Sequence, residues 1–229
     1  RGKKSLETLR FIRSHKDNVN MILGNHDFHL LMCTLTSRKP NSKDTFLDIL
    51  EAPDRNILID YMLSRPLLIE QQGFLLVHAG IPPQWSKNEA FLHAELVQNQ
   101  LQSDNAGRFL SKMYSNEPTK WSNSLDIEQK SRYTINALMR MRFCKNNGEL
   151  EFSNKMNADK EPKGYKAWFL HKNRILKNKE IVFGHWSTLK DIRLNNIYPL
   201  DGGCFWGDYL CALRLNDRVQ FSQKSIESN

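Results

Sequence analysis

The chain has 229 residues, 40% of them hydrophobic and 10% aromatic, enough for one large domain or at most two small ones with a packed core. Apolar stretches such as Phe74–Val77 are far too short to cross a bilayer, and no basic segment followed by an apolar run opens the chain. Membrane insertion and export are therefore not expected, and the cytoplasm is the default location. The formal net charge of +8 favours polyanionic partners, either phosphorylated small molecules or nucleic acid, although no block of like charge resembles a nucleic-acid-binding arm.

Arg1-Gly2 leads at once into a helix signal, with Ser5 as the expected N-cap and Leu6, Leu9 and Ile12 at helical spacing. A helix in this position normally follows a strand of a βαβ unit, so the chain is read as starting inside a motif. Asn18–Leu23, an apolar run stopped by Gly24, predicts a buried strand. Phe28–Leu35 predicts a helix, residues 36–44 a loop, and Thr45–Glu51 and Arg55–Ser64 two more helices, the second ended by Pro66. Leu67–Glu70, the turn Gln71-Gln72-Gly73 and Phe74–His78 predict a strand, a turn and a strand. Residues 88–115 read as helical with a break near Ser103–Gly107.

Met141–Cys144 and Glu149–Phe152, joined by Lys145-Asn146-Asn147-Gly148, predict a second hairpin, because Asn-Gly suits turns that need positive φ. Ser153–Lys166 reads as a polar loop, Tyr165–Lys172 as a helix and Glu180–Phe183 as a strand. Ile197–Leu200, Tyr209–Leu215 and Arg218–Ser222 read as a β-meander. Neither a repeat nor a linker interrupts the chain, so residues 1–229 form a single α/β domain with a strong antiparallel component. Cys33, Cys144, Cys204 and Cys211 lack metal-site or redox spacing and are expected to pack as small apolar residues.

Three histidines share one local pattern. His26 follows Met21-Ile22-Leu23-Gly24-Asn25, His78 follows Phe74-Leu75-Leu76-Val77, and His185 follows Ile181-Val182-Phe183-Gly184. Each stands at a predicted strand end beside a glycine or another small residue, and in layered α/β proteins ligands gather at the carboxyl ends of strands. Imidazole and amide oxygen together suit manganese, iron, cobalt or zinc better than calcium. A set of His, His and Asn carries no charge, so carboxylates are also expected at such a site; Asp27 is the only one next to a ligand candidate. The others are expected upstream of Arg1.

Gly24-Asn25-His26-Asp27, His78-Ala79-Gly80 and Gly184-His185 resemble the last three of the five motif blocks of the metallophosphoesterase superfamily, and Arg1-Gly2 resembles the tail of the second. The runs beginning His78-Ala79-Gly80-Ile81-Pro82-Pro83-Gln84-Trp85, Asn136-Ala137-Leu138-Met139-Arg140-Met141-Arg142-Phe143-Cys144 and Leu200-Asp201-Gly202-Gly203 are similar, more narrowly, to the bacterial symmetrical dinucleoside tetraphosphatases. That resemblance covers the whole chain. It implies a metallophosphoesterase-type β-sandwich flanked by helices, here missing its first strand or strands and a helix.

It also implies hydrolysis of diadenosine tetraphosphate to two ADP by metal-activated hydroxide, with two divalent ions in the intact protein and at most one well held without the front end. By the same resemblance Asn25, His78 and His185 bind a metal and His26 is the general acid. Arg1, Arg140 and Arg142 grip phosphate, with Arg140 and Arg142 two apart on a predicted strand, and Asp27 and Asp201 stand behind them as supporting residues. Trp85, Trp121, Trp186 and Trp206 are candidates for stacking on adenine, while His15, His93 and His171 are expected to be ordinary surface or capping residues and His29 structural. Rival readings are a protein serine/threonine phosphatase and an inactive nucleotide-binding remnant. Capped RNA is a conceivable substrate, and self-association through an exposed sheet edge a conceivable consequence of the missing strand.

Overall fold

A computed structural model describes residues 2–189 and 194–226. Its centre is a four-stranded sheet built from β1 (Leu68–Gln71), β2 (Phe74–Val77), β6 (Glu180–Phe183) and β7 (Ile197–Pro199), in the order β1-β2-β6-β7. β1 and β2 are an antiparallel hairpin with Gln71 opposite Phe74. Its two-residue turn places Gln72 and Gly73 at φ 50° and 83°, the pair of positive values that matches strand twist. β2, β6 and β7 run parallel, with Val77 opposite Phe183 and Phe183 opposite Pro199.

Both faces of the parallel part of this sheet are covered, which is why Phe74–Val77 and Ile181–Phe183 are continuous apolar runs. Leu75, Val77, Ile181, Phe183 and Ile197 face the main core beneath the helices. The alternate residues Phe74, Leu76, Val182 and Tyr198 face the other way and are capped by Leu213 and Leu215. Leu213 belongs to β8 (Tyr209–Arg214), which pairs with β9 (Val219–Lys224) in a separate two-stranded sheet. The result is a mixed α/β fold, as expected, with the helices over one face of the central sheet and Leu213 and Leu215 against the other.

The helices are α1 (Ser5–Ser14), α2 (Asn25–Leu35), α3 (Leu47–Glu51), α4 (Arg55–Leu63), α5 (Lys87–Leu101), α6 (Ala106–Ser111) and α7 (Ile127–Arg140). A small third sheet holds β3 (Phe143–Cys144) between β4 (Leu150–Glu151) and β5 (Lys166–Ala167). Gly148, at φ 78°, turns the β3–β4 connection as the Asn-Gly pair predicted. All four cysteines are free.

Several expectations need correction. Asn18–Leu23 is not a strand: its one backbone bond toward the sheet runs from Leu23 N–H to Pro66 O, and a single bond builds no ladder. Ser5 is the first helical residue rather than the N-cap, its hydroxyl donating to Gly2 O. Tyr165–Lys172 is not a helix, because Lys166 and Ala167 are drawn into pairing with β3 and only a single 3-10 turn, Trp168–Leu170, follows. The tail is not a meander, since Ile197–Pro199 joins the central sheet parallel to β6.

Arg140 ends the helix α7, which was not predicted, and does not lie on a strand. Seven consecutive residues, Tyr133–Met139, are buried, so the apolar stripe that marks an amphipathic helix is absent there. The overlooked signal was Asp126-x-x-Gln129, a reciprocal cap in which Gln129 N–H donates to the Asp126 carboxylate and Asp126 N–H to the Gln129 side chain.

Candidate metal and phosphate site

Parallel pairing of β2 with β6 brings two of the three histidines together. Both strands end at the same edge, and Gly184 N–H donates to His78 O at 2.9 Å, tying the two strand exits to each other. The His78 and His185 rings meet edge to face with centroids 5.2 Å apart. His185 has φ 64°, a left-handed conformation that a residue with a Cβ adopts only when its surroundings hold it there.

The third element is the start of α2. Gly24 N–H donates to the Asp27 carboxylate at 2.8 Å, closing the first turn from behind. Asn25 is thereby pointed at both imidazoles: its Oδ1 lies 2.9 Å from His78 Nε2 and 3.1 Å from His185 Nδ1. Gly24 makes this approach possible, since a Cβ there would stand 2.6 Å from the His78 ring.

Burial holds both imidazoles neutral. Desolvation first, then the positive charges of His26 and Arg142, push His78 down to about 3. Desolvation, Arg142 and His78 likewise hold His185 well below its ordinary value. A neutral His185 has one proton for two acceptor oxygens, Asn25 Oδ1 and, at 3.1 Å from Nε2, the carbonyl of Arg140. With the proton given to Arg140, Nδ1 presents a bare lone pair to the Asn25 oxygen. Turning over the Asn25 amide would relieve this conflict, and so would a cation shared by the two atoms. A backbone carbonyl accepting the far N–H is also the usual support of a ligating histidine.

The donor set therefore fits one divalent cation, though without a carboxylate to balance its charge. Among the described residues, no group of three or more His, Cys, Asp or Glu side chains could hold a metal ion.

The three donors open into a cleft of about 880 Å³, also lined by His26, Arg140, Arg142, Lys155 and Asp201. Arg140 donates to the amide oxygens of Asn136 at 2.7 Å and Asn116 at 2.9 Å, and lies over the Phe152 ring. Both acceptors are neutral, so these bonds orient the guanidinium without neutralising it. Arg142 donates to His185 O at 3.1 Å, and its buried Nε has no acceptor. Burial lowers the pKa of both arginines. Two such cations facing one cleft suit a phosphate. Asp201 accepts from Gly203 N–H at 3.2 Å, and burial raises its carboxyl.

Of the expected site residues, the fold gathers Asn25, His26, His78, His185, Arg140, Arg142 and Asp201 around this cleft. Asp27 caps α2 instead, and burial raises its carboxyl. Arg1 lies outside the described residues. His29 is tied to Asp44 at 2.8 Å. Trp206 stands 60% exposed at the cleft, whereas Trp85 and Trp186 are core. Trp121 closes an aromatic cluster with Trp85, Tyr133 and His93.

Two histidines are not the surface residues expected. His93 is stacked in that cluster, and His171 is buried with its Nε2 bonded to Cys144 O at 2.9 Å. Asn116, Asn136 and Lys155 were not predicted: Asn136 stands four residues before Arg140 on α7, a helix the sequence did not reveal, while Asn116 reaches Arg140 from another segment and Lys155 lines the cleft from a loop.

No family model matches the chain. Among curated proteins it is 42% identical over 218 residues to the symmetrical bis(5'-nucleosyl)-tetraphosphatase of Cellvibrio japonicus, covering 94% of this chain and 81% of that protein. It is 41% identical to the protein of the same name from Marinomonas sp., covering 97% and 82%. The counterpart from Pasteurella multocida is 39% identical and matches 100% of this chain and 84% of its own length. These shares do not by themselves support the expected loss of a front end. Among solved structures, a proposed diadenosine tetraphosphatase superimposes with TM-score 0.56 at 16% identity, over 93% of this chain and 72% of that one, a likeness of fold.

Proposed function

Because the chain belongs to the family of symmetrical bis(5'-nucleosyl)-tetraphosphatases, which are hydrolases, we propose that it cleaves diadenosine tetraphosphate at its centre to two ADP. The observation that carries the reading is the meeting of Asn25 Oδ1, His78 Nε2 and His185 Nδ1 beside two arginines, Arg140 held by neutral amide oxygens and Arg142 by a backbone carbonyl.

Arg140 and Arg142 take the oxygens of the polyphosphate bridge, their planar forks matching its tetrahedral edges. A water oxygen bonds to a central phosphorus, the bond from that phosphorus to the central bridging oxygen breaks, and the departing oxygen takes a proton. His26, on the first turn of α2 and in the cleft wall, supplies that proton, a task suited to imidazole near neutral pH. Asn25, His78 and His185 hold a divalent cation, for which manganese, cobalt or iron is the reading from donor type. When bound, such an ion neutralises phosphate charge and lowers the pKa of water. Asp27 and Asp201 act from behind, the first by fixing the turn that carries Asn25 and His26. Residues 1–229 act as one domain, and a nucleotide substrate together with the want of any membrane-crossing helix among the described residues supports a cytoplasmic location.

The test is product analysis with manganese or cobalt. Two equivalents of ADP per tetraphosphate support the reading; free phosphate from a phosphopeptide would instead make the protein a serine/threonine phosphatase. Binding of one metal per chain with no hydrolysis would leave a nucleotide-binding remnant. Capped RNA extends the same chemistry, supported by the open, basic cleft. Self-association through an exposed sheet edge would be checked by light scattering.

A further inference from the structure

We infer that a second cavity, beyond Arg140 and walled by Tyr114 and Arg38, receives the other nucleoside of the substrate, with its base on the Tyr114 ring. This rests on the reading of the main cleft as a dinucleoside tetraphosphatase site. A molecule cut at its centre carries a nucleoside at each end, so the site needs two base-sized compartments diverging from the reacting phosphates.

Two cavities do diverge there. The second is about 500 Å³, and Asn25, His26 and Arg140 line both. Each has an aromatic side chain that the fold leaves largely in solvent, Trp206 at 60% exposure in the first and Tyr114 at 65% in the second. Exposed aromatics that line a cavity are available for stacking, unlike the buried tryptophans of the core. The second cavity has an apolar floor, including Phe28, Met32, Met113 and Met139, all buried. An apolar floor with a few polar groups at its rim is the usual form of a small-molecule site, and 500 Å³ lies within its usual size.

Arg38 marks where the base goes. Its guanidinium lies 3.3 Å above the Tyr114 ring, so that face already receives a flat cation of the thickness of a purine. The Arg38 Nε is shut from water without a hydrogen-bond acceptor. An incoming base or phosphate oxygen would supply one, which favours Arg38 shifting to make room. On this side Asn116 and Asn136 hold Arg140 at the boundary between the two compartments, within the lining of both.

The experiment is a calorimetric titration of the full chain with ADP and manganese. Two ADP per chain are expected. Tyr114→Ala should weaken one of them by about 5- to 100-fold, the range of a lost base–aromatic stack. Tyr114→Phe should leave both unchanged, and Trp206→Ala should weaken the other. A single ADP per wild-type chain, or two unaltered sites in Tyr114→Ala, overturns the inference. A chain that cleaves the tetraphosphate yet binds one ADP refutes the second compartment alone. One that binds two ADP and leaves the tetraphosphate intact refutes the hydrolase reading instead.

Discussion

Gly24→Ala isolates the close approach on which the site depends. Gly24 has φ −109° and ψ 176°, an extended conformation open to alanine, so its backbone raises no objection. Removing a glycine at such a position stabilises by about 0.4–1 kcal/mol through the unfolded chain. The new Cβ, however, would lie 2.6 Å from His78 Cε1 and Nδ1, where ordinary contact begins at 3.4 Å, so the ring must retreat by about 0.8 Å. The ring is rigid, and its retreat disturbs the 2.9 Å approach of Nε2 to Asn25 Oδ1. Overpacking of this kind costs about 1–3 kcal/mol. The net effect in the wild-type background is therefore a loss of roughly 0–2.6 kcal/mol, with weaker manganese binding. In a His78→Ala background the obstacle is gone and Gly24→Ala should become stabilising. Urea denaturation of the four proteins without added metal, treated as a double-mutant cycle, reads this coupling directly. Equal effects of Gly24→Ala in the two backgrounds would refute the reasoning.

Acid should destabilise the metal-free protein through its buried imidazoles. His78 has a folded-state pKa of about 3 against 6.5 unfolded, so between these values the unfolded chain binds more protons. The stability is complete above the unfolded value and is lost as pH falls toward 3; His185 acts in the same direction. Over roughly pH 5 to 6, His78→Gln should flatten the rise of unfolding free energy with pH by about 1.4 kcal/mol per unit, and an unchanged slope counts against a buried neutral His78. Arg140→Ala should lower kcat/KM for the tetraphosphate by about tenfold or more, with Arg140→Lys recovering only part, since lysine cannot span Asn136 and Asn116 together. Steady-state kinetics decide this, and full recovery by lysine would reduce Arg140 to a point charge. Tyr133→Phe strips the Gly148 carbonyl of a 2.6 Å buried bond and should cost about 1–3 kcal/mol of stability by thermal or urea melts, without altering the products formed.

The histidines that meet at the cleft were legible in the chain because their signals are local. A histidine after an apolar run and beside a glycine can be found without knowing what lies across from it. The same holds for the β1–β2 turn, whose two residues must take positive φ, and for the Asn-Gly turn between β3 and β4. Long-range partnership has no such mark. Asn18–Leu23 has the composition of a strand but lacks a ladder, Lys166–Ala167 has a helical setting but is claimed by β3, and the second half of α7, Tyr133–Met139, is buried at every residue.

The sequence alone determined which side-chain types the candidate site offers, an amide, imidazoles and two arginines, since side-chain chemistry is written residue by residue. Only the tertiary structure decided that β2 and β6 are parallel neighbours, that α2 turns Asn25 onto both imidazoles, and that Asn116 and Asn136 aim Arg140. Distances between residues as far as 160 positions apart are set by how sheets and helices share one core, and that is a property of the packed whole.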